Sequence, residues 1–385
     1  MAQREHAVVT PEMIEDVRRR IGVEWVPKEP HFNTQATRDA IRHFCNGIGD
    51  ANPLFRDEEY ARKSRWGKII APAGFYYSVY PVGGSVGLPG IHGWFSGGDW
   101  EFYRPLYVDE FTTPHLKLVD LVEKKSQHAG RIFFQYSQAL FKTPSGDITA
   151  KCIGWTARAE RRAAGEHGRE KHKNVKPATY TPEEMDRILR SYDEEKPRGA
   201  DPRYWEDVQV GEEMQPLVKG PLSMRDIYTW LMGGGSPFMK AHGIFYRYVG
   251  RHPGSVMVDS TTGQVDVPEL VHMEGSRAGE IGVAGAYDYG PQRLAWLFNL
   301  VTHWMGDDAF LWKLYGEVRR FNVVGDTNWL KGKVTRKYEE SGMRLVDLEI
   351  WAENQRGEIT APGRATVSLP SRQHGPAALP PPYRG

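Results

Sequence analysis

The feature that most constrains the fold of this 385-residue chain is an internal duplication. The segment SGDITA at residues 145–150 follows the run IFFQYSQALF, and RGEITA at residues 356–361 follows VDLEIWAEN. In VDLEIWA the apolar residues alternate at a period of two, as a strand with one buried face requires. Gly146 and Gly357 stand where a hairpin between two such strands must turn. Each half of the chain is therefore predicted to end in a long hairpin.

The correspondence continues upstream of the hairpins. The hairpins match at an offset of 211 residues. Upstream of them, three residues recur at a constant offset of 216: Glu101 with Glu317, Arg104 with Arg320, and Val108 with Val324. Before these strands, APAGFYYSVYPVGG in the first half and GAYDYGPQRLAWLFNLVTHW in the second are candidates for a central helix. In the second segment the apolar residues have the spacing of a helix with one buried stripe: Leu294, Leu297, Phe298 and Val301. A helix followed by long strands, twice over, predicts an α+β fold.

These matches divide the chain into units. The predicted units are a first domain at 1–160, a charged linker at 161–204, a second domain at 205–370 with an inserted loop at about 235–271, and a Pro-rich tail at 371–385. The linker contains an amphipathic stretch in which Thr181 is placed to cap a helix, Pro182 follows it, and Glu184 lies three residues after the cap. The tail is expected to lie extended on the surface or to be disordered.

Composition and charge exclude several classes of function. Basic and acidic residues number 50 and 49, so no overall field attracts nucleic acid or an anionic membrane. The one basic run, residues 158–176, has no interleaved aromatic residue and is interpreted as a solvated linker face. No window approaches about 18 uninterrupted apolar residues and the N-terminus lacks a signal-peptide pattern, so a cytoplasmic location is expected. Cys45 and Cys152 lack the spacing of a zinc site and are expected to serve packing.

The most specific stretch is FCNGIGDANPLFRDEEYARKSRWGKIIAPAGF at residues 44–75. It resembles the signature of the MaoC-like hydratase family, G-D-x-N-P-[LI]-H-x-D-x-x-x-A followed by G-G-x-I-A. Ten residues match in register: Gly49, Asp50, Asn52, Pro53, Leu54, Asp57, Ala61, Gly67, Ile70 and Ala71. The continuation through WEFYRP resembles the dehydratase-like N-terminal branch of that family. The resemblance covers most of residues 15–160 and, more loosely, 205–370. It implies a double hot-dog fold, in which each long antiparallel sheet wraps around a central helix.

The resemblance also implies acid–base chemistry on an acyl-CoA thioester. In the family, the Asp and His of the motif activate water that adds across the double bond of an enoyl-CoA, or run the reverse elimination. Adding water requires a base for the proton of the nucleophile and an acid for the α-carbon, and backbone N–H groups stabilise the thioester oxygen. Here Asp50 occupies the acidic position, whereas Phe55, which cannot transfer a proton, replaces the family His.

The second half retains a histidine. At an offset of 217, Phe55 corresponds to His272, and H-M-E-G-S-R-A repeats the family pattern with Glu274 in place of Asp. The counterpart of G-D-x-N-P is G-G-G-S-P at residues 233–237, which lacks the acid. Between this loop and His272 the offset between the halves changes from 184 to 217, which indicates an insertion of about 33 residues. One half therefore has an Asp without a His, and the other has a His without an Asp.

Three arrangements of these groups remain open. In the first, Asp50 and His272 approach each other across the two halves. In the second, His272 works with a carboxylate of the inserted segment, for which the candidates are Asp259, Asp266 and Glu274. In the third, the sites are degenerate and Asp50 caps a helix. His242, which follows the Gly-rich turn, is the rival to His272.

The predicted function is a hydratase or dehydratase that acts on an acyl-CoA thioester without a metal or redox cofactor. Asp50 and His272 are the predicted acid and base. Backbone amides near Gly74 and Gly285 are the predicted oxyanion donors. The residues predicted to contact substrate are Asn52, Gly74, Gly285, Tyr287 and Tyr289.

Two other functions remain open on the same fold. Phe55 and Gly234, at the family's acid/base positions, favour a non-catalytic acyl-CoA-binding subunit, and a thioesterase requires a carboxylate aimed at the thioester carbonyl. The twelve Trp and eighteen Tyr suggest an aromatic-lined pocket for a bulky acyl group, although aromatic residues at this density are more often core. Expected partners are the thioester and, optionally, another copy of the chain or another hot-dog subunit, with no nucleic acid and no membrane.

Overall fold

The two halves build one continuous sheet. A computed structural model describes residues 8–83, 86–126, 130–160, 176, 178–259 and 262–384. Within these residues, ten strands form an antiparallel sheet and two more form a short ribbon. In chain order the strands are β1 Glu24–Trp25, β2 His92–Phe102, β3 Thr113–Ser126, β4 Gly130–Lys142, β5 Ile148–Ala159, β6 Leu217–Lys219, β7 Met257–Val258, β8 Val265–Asp266, β9 Phe310–Glu317, β10 Asn328–Glu340, β11 Met343–Asn354 and β12 Ile359–Ser368. The sheet order is β1-β3-β4-β5-β2-β9-β12-β11-β10-β6, and β7 pairs with β8.

Helices connect these strands and cover the sheet. In chain order they are α1 Pro11–Arg19, α2 Arg38–Ile48, α3 Glu58–Lys63, α4 Tyr76–Val79, α5 Pro182–Glu194, α6 Met224–Gly234, α7 His242–Arg251, α8 Gly275–Glu280 and α9 Gly290–Met305. Short 3₁₀ helices occur at Pro53–Phe55, Ala73–Phe75, Trp205–Asp207, Pro253–Ser255 and Pro268–His272. The predicted α+β class is confirmed. In the described part of the chain, no helix combines the length and apolarity that crossing a membrane requires.

The predicted duplication is visible where the two half-sheets join. Strand β2 of the first half pairs antiparallel with β9 of the second, and Asp99 lies opposite Tyr315. These two residues are 216 apart in sequence, the offset at which the halves match. A residue that pairs with its own repeat equivalent lies on a local two-fold axis, so the halves are related by rotation about this pair. The predicted hairpin glycines, Gly146 and Gly357, turn with positive φ angles of 93° and 71°.

Helix α9 is the common core of both halves. The predicted stripe is buried, with Leu294, Leu297, Phe298 and Val301 at most 2% exposed. One stripe was too narrow a prediction, however, because residues 291–304 are all buried. Strands β2, β9 and β12 cover one side of the helix, and α2 and the Ala73–Phe75 turn of the first half cover another. The helix is therefore enclosed on all sides, and its buried residues include the polar side chains of Gln292, Arg293, Asn299, Thr302 and His303.

The first half has a much shorter counterpart. The helix predicted over APAGFYYSVYPVGG is reduced to the Ala73–Phe75 turn and the single helical turn α4. It ends because Tyr80 precedes Pro81, and the ring of a proline disfavours helical backbone in the preceding residue. Tyr80 is accordingly extended, with φ −162° and ψ 120°.

Aromatic residues of the first half pack on one another. Trp100 stacks on Phe102 and Phe141, with ring centroids 5.7 and 5.6 Å apart. Its Nε1 donates a hydrogen bond to the Tyr77 hydroxyl at 2.9 Å, and Phe298 of α9 meets its ring edge-on. These rings belong to the core and do not line a large pocket. Cys45 and Cys152 are free thiols buried in the same core.

The linker helix forms as predicted. Thr181 Oγ1 accepts a hydrogen bond from Glu184 N (3.2 Å), and the Glu184 carboxylate accepts one from Thr181 N (2.8 Å). At the far end of α5, the Tyr192 hydroxyl donates to Gly220 O (2.9 Å), so the helix packs on the second half. Most of the basic run at 158–176 lies outside the described residues.

The inserted loop and the tail also have ordered contacts. The loop predicted at about 235–271 contains α7 and the β7–β8 ribbon. The tail crosses the surface of the first half, where Arg65 Nη2 donates to Ala377 O (2.8 Å) and Tyr383 meets Tyr103 edge-on. Part of the tail is packed, since Ala377 is only 2% exposed.

Leu297→Ala is expected to lower the free energy of unfolding by about 2–5 kcal/mol, because the lost side chain leaves a cavity in the shared core. Urea denaturation measures the change. Leu189→Ala removes the same atoms from an exposed position on α5 and is expected to change stability by at most about 0.5 kcal/mol. Equal effects of the two substitutions would contradict a shared core around α9.

Candidate functional site

The motif loop of the first half begins where α2 ends. Gly49 has a left-handed backbone (φ 69°), a state that favours glycine. Asp50 Oδ1 accepts a hydrogen bond from Asn52 N (2.9 Å), and Asn52 Oδ1 accepts one from Leu54 N (2.9 Å). These oxygens shape the loop that leads into the Pro53–Phe55 turn. Asp50 thus has a local structural role within this loop, and its Oδ2 atom is buried with no hydrogen-bond partner among the described residues.

Asp50 also meets a histidine from the other half. His303, in the last turn of α9, places Nε2 3.4 Å from Asp50 Oδ1. On the other side of the ring, His303 Nδ1 lies 3.8 Å from Glu195 Oε1, and Lys219 Nζ lies 3.7 Å from the same oxygen. The chain thus forms a buried Asp–His pair in the first half, with the imidazole supplied by the second half.

This pair is closed to substrate. Asp50 is 1% exposed and His303 is 5% exposed. A cavity beside the motif loop has a volume of about 60 Å³, and its wall includes Phe55, Asn52 and Asp307 but neither member of the pair. Such a volume holds a few waters, whereas ligand sites typically span about 300–1,000 Å³. The geometry favours a structural role for Asp50 and His303.

Asn52, predicted to contact substrate, instead joins the motif loop to the end of α9. Its Nδ2 donates to Asp307 Oδ1 (2.9 Å), and the Tyr60 hydroxyl donates to Asp307 Oδ2 (2.6 Å). Trp66 Nε1 donates to the backbone oxygen of Asp307 (2.8 Å). Burial raises the pKa of Asp307. The first-half loop is therefore fastened to the second half by several hydrogen bonds.

A more accessible set of groups lies at the opposite end of α9. Glu269 and His272 are three residues apart in the 3₁₀ helix Pro268–His272, so their side chains share a face. The His272 ring stacks on Tyr289, with centroids 3.9 Å apart and planes inclined by 22°. Tyr289 immediately precedes α9. Glu269 and His272 are both partly exposed, in contrast to Asp50 and His303.

The hydrogen bonding of His272 defines its tautomer. Nδ1 lies 2.9 Å from the backbone oxygen of Tyr287. A carbonyl oxygen can only accept, so Nδ1 carries the proton and Nε2 keeps its lone pair in the neutral ring. Burial lowers the pKa of His272 to about 4, opposed in part by backbone hydrogen bonds at Tyr287 and Asp288. At neutral pH this side chain is an uncharged base.

Glu269 has the opposite shift. Burial raises the pKa of Glu269 to about 7, opposed in part by Ser236 and Tyr289. Ser236 Oγ donates to Glu269 Oε2 (2.6 Å). Between about pH 4 and pH 7, His272 is therefore deprotonated while Glu269 is protonated, the reverse of the order in free side chains. Environments that separate two pKa values in this way are typical of acid/base pairs.

A buried ion pair holds the segment on which His272 rests. Arg293, which is 1% exposed, donates from Nε to Asp288 Oδ2 (2.8 Å). Asn322 Nδ2 donates to the same oxygen (3.1 Å). Because Asp288 lies between Tyr287 and Tyr289, these contacts fix the carbonyl and the ring that orient His272.

The first half contributes to the edge of this site through His31. Burial lowers the pKa of His31 to about 4, opposed by backbone hydrogen bonds at Gly235 and Gly234. The neighbouring Phe32 ring occupies the space that a Cβ atom on Gly235 would need. The Gly-rich replacement of G-D-x-N-P therefore lets residues 31–32 approach the backbone of the second-half loop.

The structure separates the two residues predicted as acid and base. His272 contacts Tyr289 at the start of α9, and Asp50 contacts His303 in its last turn. The intervening helix rises about 1.5 Å per residue, which puts Asp50 and His272 on the order of 20 Å apart. The arrangement in which both share one site is not formed.

The carboxylates considered as partners of His272 are engaged elsewhere. Asp259 Oδ2 lies 2.5 Å from Arg277 Nη2, and Glu274 Oε2 lies 3.7 Å from Arg277 Nε. Asp266 Oδ1 accepts a hydrogen bond from Val267 N (2.9 Å). The carboxylate that shares a face with His272 is instead that of Glu269, three residues earlier in the same 3₁₀ helix.

The remaining predicted residues lie in different environments. Gly74 is buried in the core, where an added Cβ would lie 3.3 Å from Phe44 and 3.5 Å from Phe298. Gly285 is partly exposed and lies two residues before Tyr287, whose backbone oxygen is 2.9 Å from His272 Nδ1. His242 is exposed at the start of α7.

Ser236, Glu269, His303 and His31 were not predicted from the sequence as site residues. The sequence signals that could have identified them differ in strength. Ser236 is the repeat equivalent of Asn52, and Glu269 stands one 3₁₀ turn before His272, so both had a usable local signal. His303 had none, because its contact with Asp50 spans 253 residues and depends on how the two halves pack. His31 likewise reaches Gly235 only through tertiary structure.

Comparison with known proteins supports the resemblance. Residues 21–150 match the family model described as FAS1-like, dehydratase domain region. A UPF0336 protein from Parafrankia sp. (strain EAN1pec) is 44% identical over 55 residues, which are 14% of this chain and 35% of that protein. The chain therefore spans about a third of the length of this curated relative.

Solved structures show the fold. A MaoC-like dehydratase superposes with a TM-score of 0.63 at 14% identity, over 92% of this chain and 99% of that one. A conserved hypothetical protein from Mycobacterium tuberculosis, described as having a double hotdog fold, gives a TM-score of 0.51 at 8% identity, over 91% and 96% of the two chains. The predicted MaoC-like resemblance and the double hot-dog fold are confirmed.

His303→Ala is expected to destabilise the protein by about 3–5 kcal/mol, because it leaves the buried Asp50 carboxylate without the imidazole. Chemical denaturation measures the loss. His374→Ala, at an exposed position in the tail, is the control and is expected to be neutral. A neutral His303→Ala would show that the pair does not join the two halves.

Glu269→Gln is expected to change how stability depends on pH. The pKa of Glu269 is raised from 4.5 to about 7 in the folded protein, so the folded state binds more protons in that window and its stability falls as pH rises through it. Glu269→Gln removes this loss, so its stability relative to the wild type should increase from pH 5 to pH 8. Urea denaturation at both pH values tests this, with the exposed Glu274→Gln as control. An unchanged difference would mean that Glu269 titrates normally.

Proposed function

We propose that this double hot-dog protein, MaoC-like in fold and with a dehydratase region in its first half, adds water to an enoyl-CoA or removes it from a 3-hydroxyacyl-CoA. The site proposed for this reaction is the second-half pair of His272 and Glu269. The observation that carries the proposal is their common face on one 3₁₀ helix, where one is an uncharged base and the other a protonated acid at the same pH.

The roles follow from the hydrogen bonds. In the dehydration direction, His272 Nε2 takes the α-proton, the C–O bond breaks, and Glu269 gives its proton to the departing hydroxyl, so that enoyl thioester and water form. Proton exchange with solvent then restores both groups. Hydration is the reverse. Ser236 holds the Glu269 carboxyl, and Tyr287 holds the His272 tautomer that leaves Nε2 available.

The thioester oxygen needs a hydrogen-bond donor when negative charge develops on it. The backbone amide of Gly285 is the proposed donor, because this residue is partly exposed and precedes Tyr287 and Tyr289 at the same end of α9. The first half, where Phe55 replaces the family His and the Asp50–His303 pair is closed, is proposed to support the second half without catalysing the reaction.

A binding-only function and a thioesterase are the competing possibilities on this fold. Phe55 at the family His position and the closed Asp50–His303 pair favour a function without turnover in the first half. A thioesterase would use the Glu269 carboxylate against the thioester carbonyl and release free CoA. Release of free thiol, gain or loss of the mass of water, and binding without conversion distinguish the three functions.

Incubation with enoyl-CoAs of increasing chain length, followed by mass spectrometry for added water, tests the proposal. His272→Asn and Glu269→Gln are each expected to lower kcat by about 10²–10⁴-fold, the range typical of a lost general acid or base. Activity of the wild type should rise as pH passes about 4 and fall above about 7. Glu274→Gln is the matched control in the same segment. No conversion across the panel, or full activity in both variants, would refute the assignment.

A further inference from the structure

His31 is a half-buried histidine of the first half that takes no part in the proposed reaction. Its ring meets the Tyr80 ring edge-on, with centroids 6.4 Å apart. Burial lowers the pKa of His31 to about 4, hydrogen bonds to the backbone of Gly235 and Gly234 oppose this shift, and the charge of Lys240 adds to it. Hydrogen bonds that raise the pKa of a histidine favour its protonated form, so the ring is the donor and the backbone oxygens accept. At neutral pH the uncharged ring has one N–H to donate.

The backbone that His31 contacts leads directly into the proposed active site. Gly235 follows α6 and has a φ angle of 72°. The next residue, Ser236, donates from Oγ to Glu269 Oε2 (2.6 Å), and the same Oγ accepts a hydrogen bond from Phe238 N (3.1 Å). Because Ser236 is bonded to Gly235, a rotation of the Gly235 peptide would turn the Ser236 hydroxyl away from Glu269.

The Gly-rich loop depends on its neighbours for its conformation. Three consecutive glycines end α6 and begin the loop, and glycine backbone has little conformational preference of its own. The first half encloses them. A Cβ atom on Gly233 would clash with the backbone oxygen of His43, and one on Gly235 would clash with the Phe32 ring. Packing by Phe32 limits where the loop lies, whereas a directional hydrogen bond from His31 limits how its peptide groups are rotated.

We propose that His31 is a positioning residue of the second-half site, where its N–H holds the backbone of Gly234 and Gly235 so that Ser236 directs its hydroxyl at the Glu269 carboxyl. The effect on turnover rests on the proposed function, since His31 acts on the reaction only through Ser236 and Glu269. A supporting group that fixes the orientation of a reacting group is a general requirement of a precise site.

The electrostatic surroundings of Glu269 give the proposal a direct readout. Burial raises the pKa of Glu269 to about 7, and hydrogen bonds from Ser236 and Tyr289 lower it in part. Tyr248 of α7 also faces this carboxylate, which raises the pKa of Tyr248. Loss of the hydrogen bond from Ser236 removes a group that favours the ionised carboxylate, so the pKa of Glu269 should rise. If His31 holds Ser236 in place, removal of His31 should have the same effect.

Nuclear magnetic resonance of the full chain with ¹³C-labelled glutamate tests this. The Glu269 carboxyl signal, assigned by its loss in Glu269→Gln, should titrate near pH 7 in the wild type. His31→Ala and Ser236→Ala are each expected to move its midpoint upward, and the double variant should titrate like Ser236→Ala alone, because the two residues act in series. The control is His43→Ala, a partly buried histidine of α2 whose Nε2 lies 3.0 Å from Arg42 Nη2, and it should leave the midpoint unchanged.

Turnover of an enoyl-CoA provides the second readout. His31→Ala is expected to lower kcat about 10–100-fold with KM changed by at most about threefold, because small misplacements of a reacting group cost this much. His31→Asn and His31→Gln each keep an N–H donor near one ring nitrogen, and one of the two should restore most of the rate. His31→Phe keeps a ring against Tyr80 but cannot donate, so it should behave like His31→Ala and replaces that variant if alanine prevents folding. A purely structural role would lower stability in denaturation without moving the Glu269 midpoint.

The two readouts separate this inference from the proposed function. If the wild type converts no thioester but the His31 and Ser236 variants shift the Glu269 midpoint as expected, the positioning role stands and the acid/base assignment fails. If turnover requires Glu269 and His272 while His31→Ala and His31→Phe leave both the midpoint and kcat unchanged, the positioning role alone is overturned. Additive shifts in the double variant would also overturn it, because they would show that His31 acts independently of Ser236.

Discussion

The pairing of β2 with β9 is the contact on which the rest of the molecule depends. It joins two half-sheets into one, and because Asp99 lies opposite its repeat equivalent Tyr315, it sets the rotation between the halves. Without this pairing, β2 and β9 would each be an edge strand of its half-sheet. Unpaired backbone groups at such an edge are costly or prone to association. The pairing also places α9 against strands of both halves, so this one helix organises both candidate sites.

The two ends of α9 have different chemistry because they have different access to solvent. At the C-terminal end, His303 is enclosed between Asp50 and Glu195, and several hydrogen bonds from the first-half loop close the surroundings. Groups enclosed in this way cannot meet a substrate, and removal of one of them leaves the others buried without that partner. At the N-terminal end, His272 and Glu269 are buried enough to shift their pKa values and still partly exposed. Partial burial of this kind suits acid–base chemistry.

The insertion in the second half explains why that site differs from its repeat partner. The loop G-G-G-S-P keeps only Ser236 as a polar group, and its glycines allow Phe32 and the α2 backbone to approach closely. The chain that follows returns through α7 and the β7–β8 ribbon before it supplies Glu269 and His272 together. One segment thus provides both titratable groups and helix α7, whose Tyr248 and Val249 pack with Val267. The carboxylate that meets the G-G-G-S-P loop is that of Glu269, which accepts a hydrogen bond from Ser236, 33 residues earlier in the chain.

The sequence by itself determined the duplication, the α+β class, the hairpins at Gly146 and Gly357, the capped linker helix and the MaoC-like motif, because each depends on local periodicity or on residues near one another in the chain. Only the tertiary structure decided how the functional groups are combined. It placed His303 beside Asp50, put Asp50 and His272 at opposite ends of α9, and brought Ser236 to Glu269. Such contacts join residues 33 to 253 positions apart, and the burial that shifts the pKa values of Glu269 and His272 exists only in the packed chain. Local pattern cannot encode which distant groups share a desolvated space, since that is set by the packing of the two halves.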